Sequence, residues 1–136
     1  MKTLIKHACV IFSLIICLLS FSIYSRPTLL NYTDKVLIYT GSNSSNAVVK
    51  RVDTGYFSFD KIYGESCSLN LSPQEIFDKF GVEVKFCEVA ENVVCYYGYS
   101  KKFPYRKKIN GKVVNVHVAV EGDRVTLGTP IIYGSF

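Results

Sequence analysis

The residues with the clearest potential for chemistry form one basic and aromatic segment, Tyr99–Lys112. It holds six Lys or Arg side chains, three aromatic side chains and no acid. Cations neutralise phosphate groups, and aromatic rings offer stacking and cation–π surfaces, so the segment is a candidate site for an anionic ligand. The candidate anion-binding residues are Lys101, Lys102, Tyr105, Arg106, Lys107, Lys108 and Lys112.

The same composition is also typical of the solvated edge of a small sheet. Lys side chains on an edge strand block pairing with another chain, and Tyr suits an exposed strand face. The segment contains Asn110-Gly111, the pair that most strongly predicts a two-residue hairpin turn. Two interpretations of the segment therefore remain open, an anion-binding surface and the charged edge of a sheet.

The other reactive side chains form no recognisable catalytic or metal-binding pattern. His117 is the only His after the N-terminal segment, and Cys67, Cys87 and Cys95 match no zinc-site spacing. The acids are scattered over turns and predicted strands without the spacing of an acid–base pair. We therefore expect a protein that is not an enzyme and holds no metal and no cofactor.

Cys87 and Cys95 lie eight residues apart on two runs that predict a hairpin. A cross-strand disulfide between them is geometrically possible if the strand register places the two residues opposite each other. The alternative is that these thiols, together with Cys67, are buried and reduced.

The N-terminal segment differs from the rest of the chain. Lys2 and Lys6 precede an uncharged run, residues 8–25, which Arg26-Pro27 closes. Such a segment is either an uncleaved single-pass anchor with the N-terminus in the cytoplasm, or a signal peptide whose cleavage releases a secreted protein. We predict a signal-anchor or signal peptide over residues 1–25 and one extracytoplasmic domain over residues 26–136, in which the net charge is +3.

One helix is predicted with its ends. Ser72 suits the N-cap, Pro73 the first helical position, and Glu75 completes a capping box. Gly81 suits the left-handed residue after the C-terminus, so the helix should span Pro73 to Phe80.

The remaining residues predict strands joined by short turns. Two runs, Val36–Thr40 and Ala47–Val52, predict a hairpin, Tyr56–Ile62 predicts a strand, and Ser68–Leu71 predicts a short strand. After the helix, five runs with short turns predict antiparallel neighbours. The expected fold class is α+β: one short capped helix on a five-stranded antiparallel sheet, preceded by a β-hairpin and an N-terminal hydrophobic helix. The C-terminal residues LGTPIIYGSF should complete the core or dock on a second copy.

The C-terminal stretch resembles the YwmB-like exported proteins of Firmicutes. The resemblance rests on structural features over about 40 residues: Tyr99-Ser100, Pro104, Asn110-Gly111-Lys112, Asn115 and Gly128-Thr129-Pro130. It implies a TATA-box-binding-protein-like fold and an exported protein, and it brings no catalytic residue. Members of that family have two such halves, whereas this chain has room for one half and a hairpin.

The sequence predicts a membrane-anchored or secreted, non-enzymatic module that acts by contact with a protein or with the cell envelope. The alternative is a module that binds lipid headgroups or a phosphate-bearing wall polymer through the basic segment 101–112. The expected partners are the membrane, through the N-terminal helix, and a protein partner or a second copy. Nucleic acid is not an expected partner outside the cytoplasm.

Overall fold

The computed structural model describes residues 1–24, 26–41, 48–56, 58 and 60–133. The fold is α+β, with an N-terminal helix α1, a short helix α2, a seven-stranded antiparallel sheet and a separate two-stranded hairpin. The helices are α1 (Lys2–Tyr24), a 3-10 helix (Thr28–Asn31) and α2 (Pro73–Phe80). The strands are β1 (Lys35–Thr40), β2 (Val48–Asp53), β3 (Ile62–Leu69), β4 (Glu83–Ala90), β5 (Val93–Tyr99), β6 (Lys107–Ile109), β7 (Lys112–Val114), β8 (Val116–Glu121) and β9 (Arg124–Thr129).

Helix α1 is long and apolar enough to cross a membrane. The stretch Lys2–Ser20 has a mean hydropathy of 2.1 and none of it is buried against the rest of the protein. A signal sequence has the same length and composition, so α1 fits both the anchor and the signal peptide.

The prediction of a five-stranded sheet is wrong, because the sheet has seven strands in the order β2-β1-β3-β9-β8-β5-β4. The N-terminal hairpin β1–β2 does not precede the sheet but extends it, since β3 pairs with β1 on one side and with β9 on the other. The two strands predicted at Tyr56–Ile62 and Ser68–Leu71 are replaced by the single strand β3. The turn between β1 and β2 and parts of Tyr56–Ile62 lie outside the described residues.

The last strands also differ from the predicted run. The alternating sequence after Lys112 is divided at Asn115, so that β7 pairs only with β6 while β8 joins the large sheet. Asn110 and Gly111 both have positive φ angles, 49° and 76°, as the predicted Asn-Gly turn requires.

The capping predicted for α2 is present. The Ser72 hydroxyl accepts a hydrogen bond from the Glu75 backbone N–H, and the Glu75 carboxylate accepts one from the Ser72 backbone N–H at 2.8 Å. The helix ends at Gly81 in the left-handed conformation. Ile76 and Phe80 are buried against the sheet, so local capping and the apolar stripe together fix this helix.

The two faces of the large sheet have different coverings. The helix face carries Val116, Val118 and Leu127 and packs in one core with α2 and the 3-10 helix. The tail face carries His117, Ala119 and Gly128 and is partly covered by residues 130–133, which we call the C-terminal tail. The described part of the predicted C-terminal segment therefore covers the sheet of its own chain.

A basic cleft beside the last hairpin

The candidate functional site is an open cleft of about 550 Å³ beside the β6–β7 hairpin. Its lining residues are Lys85, Tyr99, Arg106, Lys112 and Val113. Three of these five side chains are cationic and none is acidic.

The sheet and the hairpin together position these residues. Lys85 comes from β4 and Tyr99 ends β5, while the hairpin supplies Lys112. The Lys112 ammonium donates a hydrogen bond to the Lys85 backbone carbonyl at 2.9 Å, and the Asn115 backbone N–H donates to the Gly98 carbonyl at 2.9 Å. These bonds hold the hairpin against the edge of the sheet.

The cleft carries positive charge that is only partly neutralised. The Lys85 ammonium lies 2.6 Å from a Glu83 carboxylate oxygen. Arg106 lies 5.7 Å from the Tyr99 ring centre, and the Lys112 ammonium lies 5.8 Å from the Phe86 ring centre. Within the described ranges, neither Arg106 nor Lys112 forms a salt bridge, so both charges remain available to an anion.

The structure brings together only part of the predicted basic segment. Arg106 and Lys112 line the cleft, whereas Lys101 and Lys108 are exposed outside its lining. The Lys102 ammonium instead donates a hydrogen bond to the Lys79 carbonyl at 2.6 Å, at the C-terminal end of α2. Lys107 lies over the Tyr133 ring at 5.3 Å.

Tyr105 has a structural position on the helix face. Its hydroxyl donates a hydrogen bond to the Glu65 carboxylate at 3.1 Å, and that carboxylate also accepts from the backbone N–H groups of Thr28 and Leu29, both at 2.7 Å. Burial raises the pKa of Glu65 in spite of these three donors, and burial together with the Glu65 charge raises the pKa of Tyr105. The hydrogen bonds to Glu65 connect the residues that follow α1 to the residues that precede the β6–β7 hairpin.

Lys85 belongs to the cleft but was not among the predicted site residues. It lies 14 residues before Tyr99 in the sequence, in a strand whose alternation predicts only a solvated edge. A register shift between Val84 and Phe86 places Lys85 beside the hairpin. Its contribution therefore depends on strand pairing, which no local pattern shows.

The register does not support the Cys87–Cys95 disulfide. Cys87 is opposite Tyr96 and Cys95 is opposite Glu88, so the two Cys side chains lie on different faces of the sheet. Cys87 is exposed, Cys95 is buried, and both are free thiols.

The thiols and His117 do not have the environment of activated groups. Burial raises the pKa of Cys67 to about 12 and also raises the pKa of Cys95, the opposite of the shift that activates a nucleophile. His117 is 3% exposed, stacks on Tyr97 and accepts a hydrogen bond at Nδ1 from the Ile132 backbone N–H at 3.1 Å. Among the described residues, no group of three His, Cys, Asp or Glu side chains could hold a metal ion.

Comparisons with protein-family models, with curated proteins and with solved structures find no match for this chain.

The position of His117 predicts a loss of stability at low pH. Burial lowers its pKa to about 4, whereas the unfolded chain titrates near 6.5. Below pH 6.5 the unfolded state binds a proton that the folded state excludes, so stability falls as the pH drops from 6.5 to 4. The loss should approach about 3 kcal/mol at the lower end of this range.

The measurement is the free energy of unfolding of the parent chain and of His117→Asn between pH 7 and pH 4. The raised pKa of Glu65 has the opposite effect, because its stabilisation is complete at low pH and is lost as the pH rises through that pKa. This effect is common to both chains and cancels in their difference. A difference that does not change with pH would contradict the prediction.

Proposed function

We propose that this chain is a non-enzymatic extracytoplasmic module that is anchored or exported by α1 and binds an anionic component of the cell envelope in the basic cleft. The observation that carries the proposal is the cleft itself, whose lining combines Lys85, Arg106 and Lys112, and among these described cations only Lys85 is paired with a carboxylate, that of Glu83. The exposed apolar helix α1 supports a location at the membrane or beyond it. The resemblance of the C-terminal stretch to YwmB-like exported proteins supports the same location.

Phosphate is the anion that suits this cleft best. Arg106 presents a planar guanidinium and the two Lys side chains present compact charges, which together can contact several oxygens of a phosphate group. The cleft is open, so a phosphate attached to a lipid or to a polymer can enter without complete desolvation. Each basic residue near an anionic surface contributes about 1 kcal/mol at physiological salt.

The proposal is tested with the Lys85→Gln/Arg106→Gln/Lys112→Gln variant of the full chain, reconstituted in nanodiscs of neutral lipid. The probes are vesicles that contain anionic phospholipid and long-chain inorganic polyphosphate. The loss of three charges should weaken binding of at least one probe by about 100-fold. Binding by the parent chain should also weaken steeply as salt is added.

A matched control removes the same charge elsewhere. Lys61, Lys79 and Arg124 are exposed and lie outside the cleft, so their replacement by Gln should change binding by less than about threefold. Equal losses in the two triple variants would mean that net charge alone determines binding. Undiminished binding by the cleft variant would refute the proposed site.

The location requires a separate experiment. Full-length chain should appear in the membrane fraction of cells, or a shortened chain should appear in the medium. Full-length chain in the soluble cytosolic fraction would contradict the extracytoplasmic assignment.

A further inference from the structure

A second polar depression lies at the other end of the tail face. This groove has a volume of about 180 Å³, and its side-chain lining includes Lys35, Leu37, Arg51, Ser66, Ser68 and Thr126.

Four adjacent strands form the groove. Leu37 of β1 is opposite both Arg51 of β2 and Ser66 of β3, and on the next row Ser68 is opposite Thr126 of β9. Directly opposed residues point to the same face of a sheet, so two cations and three hydroxyls converge on the tail face.

The polar groups of the groove are available to a ligand. Within the described ranges, Lys35 and Arg51 form no salt bridge, and the hydroxyls of Ser66, Ser68 and Thr126 form no hydrogen bond to another protein group. Ser66 is 2% exposed and Thr126 is 8% exposed, so their hydroxyls form the floor of the groove. Asp53 is the cross-strand neighbour of Lys35, and its negative charge reduces the positive electrostatic potential around Lys35. Arg51 is therefore the principal cation of the groove.

The groove and the cleft open on the same face of the sheet. Tyr97 is opposite His117 and therefore lies on the tail face. Phe86 is opposite Tyr97, and Tyr99 is two residues after it in the same strand, so both rings beside the cleft lie on the tail face as well. The groove and the cleft are about 14 to 24 Å apart across the sheet. This distance corresponds to the three strand spacings between β3 and β5 and the five between β1 and β4. Lys107 belongs to the hairpin beside the cleft and lies over the ring of Tyr133, which contacts the tail face at Gly64 of β3, a strand that also forms the groove.

We propose that the tail face binds one extended polyanion, a linear chain of phosphate groups that occupies the cleft and the groove together and passes Lys107. This inference rests on the proposed anion binding by the cleft and specifies the class of ligand. A single lipid headgroup is too short to reach both sites, whereas a polymer with repeated phosphates presents charge along the whole span. Occupation of the first site raises the effective concentration of the same chain at the second.

The test compares two inorganic probes on the full chain in neutral nanodiscs. One triphosphate molecule is too short to reach both sites, whereas one molecule of long-chain polyphosphate can occupy both. At equal concentration of phosphate units, the parent chain should bind the long chain at least about tenfold more tightly. Poly(glycerol phosphate) is the third probe. It shows whether the protein requires the backbone of a wall-type polymer or only a series of phosphate groups.

The deciding variant is Lys35→Gln/Arg51→Gln. It should lose the preference for long-chain polyphosphate, while the affinity for triphosphate at the intact cleft changes by less than about twofold. Lys61→Gln/Lys79→Gln removes the same charge at exposed residues that line neither site, and it should keep the preference. Ser68→Asp provides an independent test, because Ser68 is exposed and the introduced carboxylate should repel a phosphate from the groove without removing a core side chain.

The outcomes separate this inference from the proposed function. If both groove variants keep the preference for the long chain, the groove takes no part and the cleft remains as the single site. If the cleft variant binds both probes like the parent chain, the proposed function itself is wrong. Loss of the preference in the groove variants, with triphosphate binding retained, supports both.

Discussion

Replacement of Asn115 by Ala should lower the free energy of unfolding by about 4 kcal/mol. Asn115 is fully buried, and its amide oxygen accepts a hydrogen bond from the Ser100 N–H at 2.7 Å. Its amide nitrogen donates to the carbonyls of Ser100 and Phe103, at 2.7 and 3.0 Å. The Ala variant leaves three backbone groups without these partners, at about 1 to 3 kcal/mol each, and some will be rescued by water.

The effect should extend to the cleft. The turn that Asn115 closes places Phe103 on Phe80, with ring centres 5.4 Å apart, and leads directly into Arg106. A loosened turn would therefore weaken ligand binding as well as stability. Urea unfolding of the full chain measures the first effect, and polyphosphate titration measures the second.

Gln74→Ala is the matched control for this prediction. Gln74 also donates a side-chain hydrogen bond, to Asp78 at 2.9 Å, but the pair is exposed and its loss should cost less than about 0.5 kcal/mol. A loss below about 1 kcal/mol in Asn115→Ala would show that the three bonds do not stabilise the turn.

Replacement of Gly128 by Ala should cost about 3 to 5 kcal/mol, because the C-terminal tail lies directly on this residue. A Cβ at Gly128 would be 2.5 Å from Cγ1 of Ile132, 2.8 Å from the Ile132 nitrogen and 2.9 Å from the Ile131 carbonyl carbon. Two of these three atoms are backbone, so a change of side-chain rotamer cannot relieve the contact. The variant must move the tail, which removes Ile132 from its place beside Cys95 and Ala119 and breaks its bond to His117.

Gly55→Ala is the control for the tail. The nearest atom to a Cβ there is an Asp53 carboxylate oxygen at 3.6 Å, an ordinary contact distance, so the change should be within about 1 kcal/mol. Unfolding measurements give the stability, and limited proteolysis followed by mass spectrometry shows whether the C-terminus has become accessible. An unchanged unfolding midpoint and an intact C-terminus in Gly128→Ala would overturn this account of the tail.

The elements that the sequence predicted correctly are those in which neighbouring residues complete the structure. The capping box of α2 needs only Ser72 and Glu75, and the Asn110-Gly111 turn needs only two residues that tolerate positive φ angles. The alternation of residues 116–120 has the same local basis, and in the structure Val116 and Val118 lie on the helix face and His117 on the tail face. The division of β3 into two predicted strands has a local cause, because β3 contains Gly64, Glu65 and Ser66 where a buried strand would normally show apolar residues.

Sequence by itself determined an apolar N-terminal helix, a capped helix and a set of antiparallel strands, together with a cluster of cations near the C-terminus. The tertiary structure decided which of those cations share a site. Tyr105 turns inward to Glu65 and Lys102 binds the end of α2, whereas Lys85 comes from another strand to join Arg106 and Lys112. The physical reason is that capping, turns and alternation depend on residues a few positions apart, whereas a binding surface depends on strand register and on which buried polar groups require a partner.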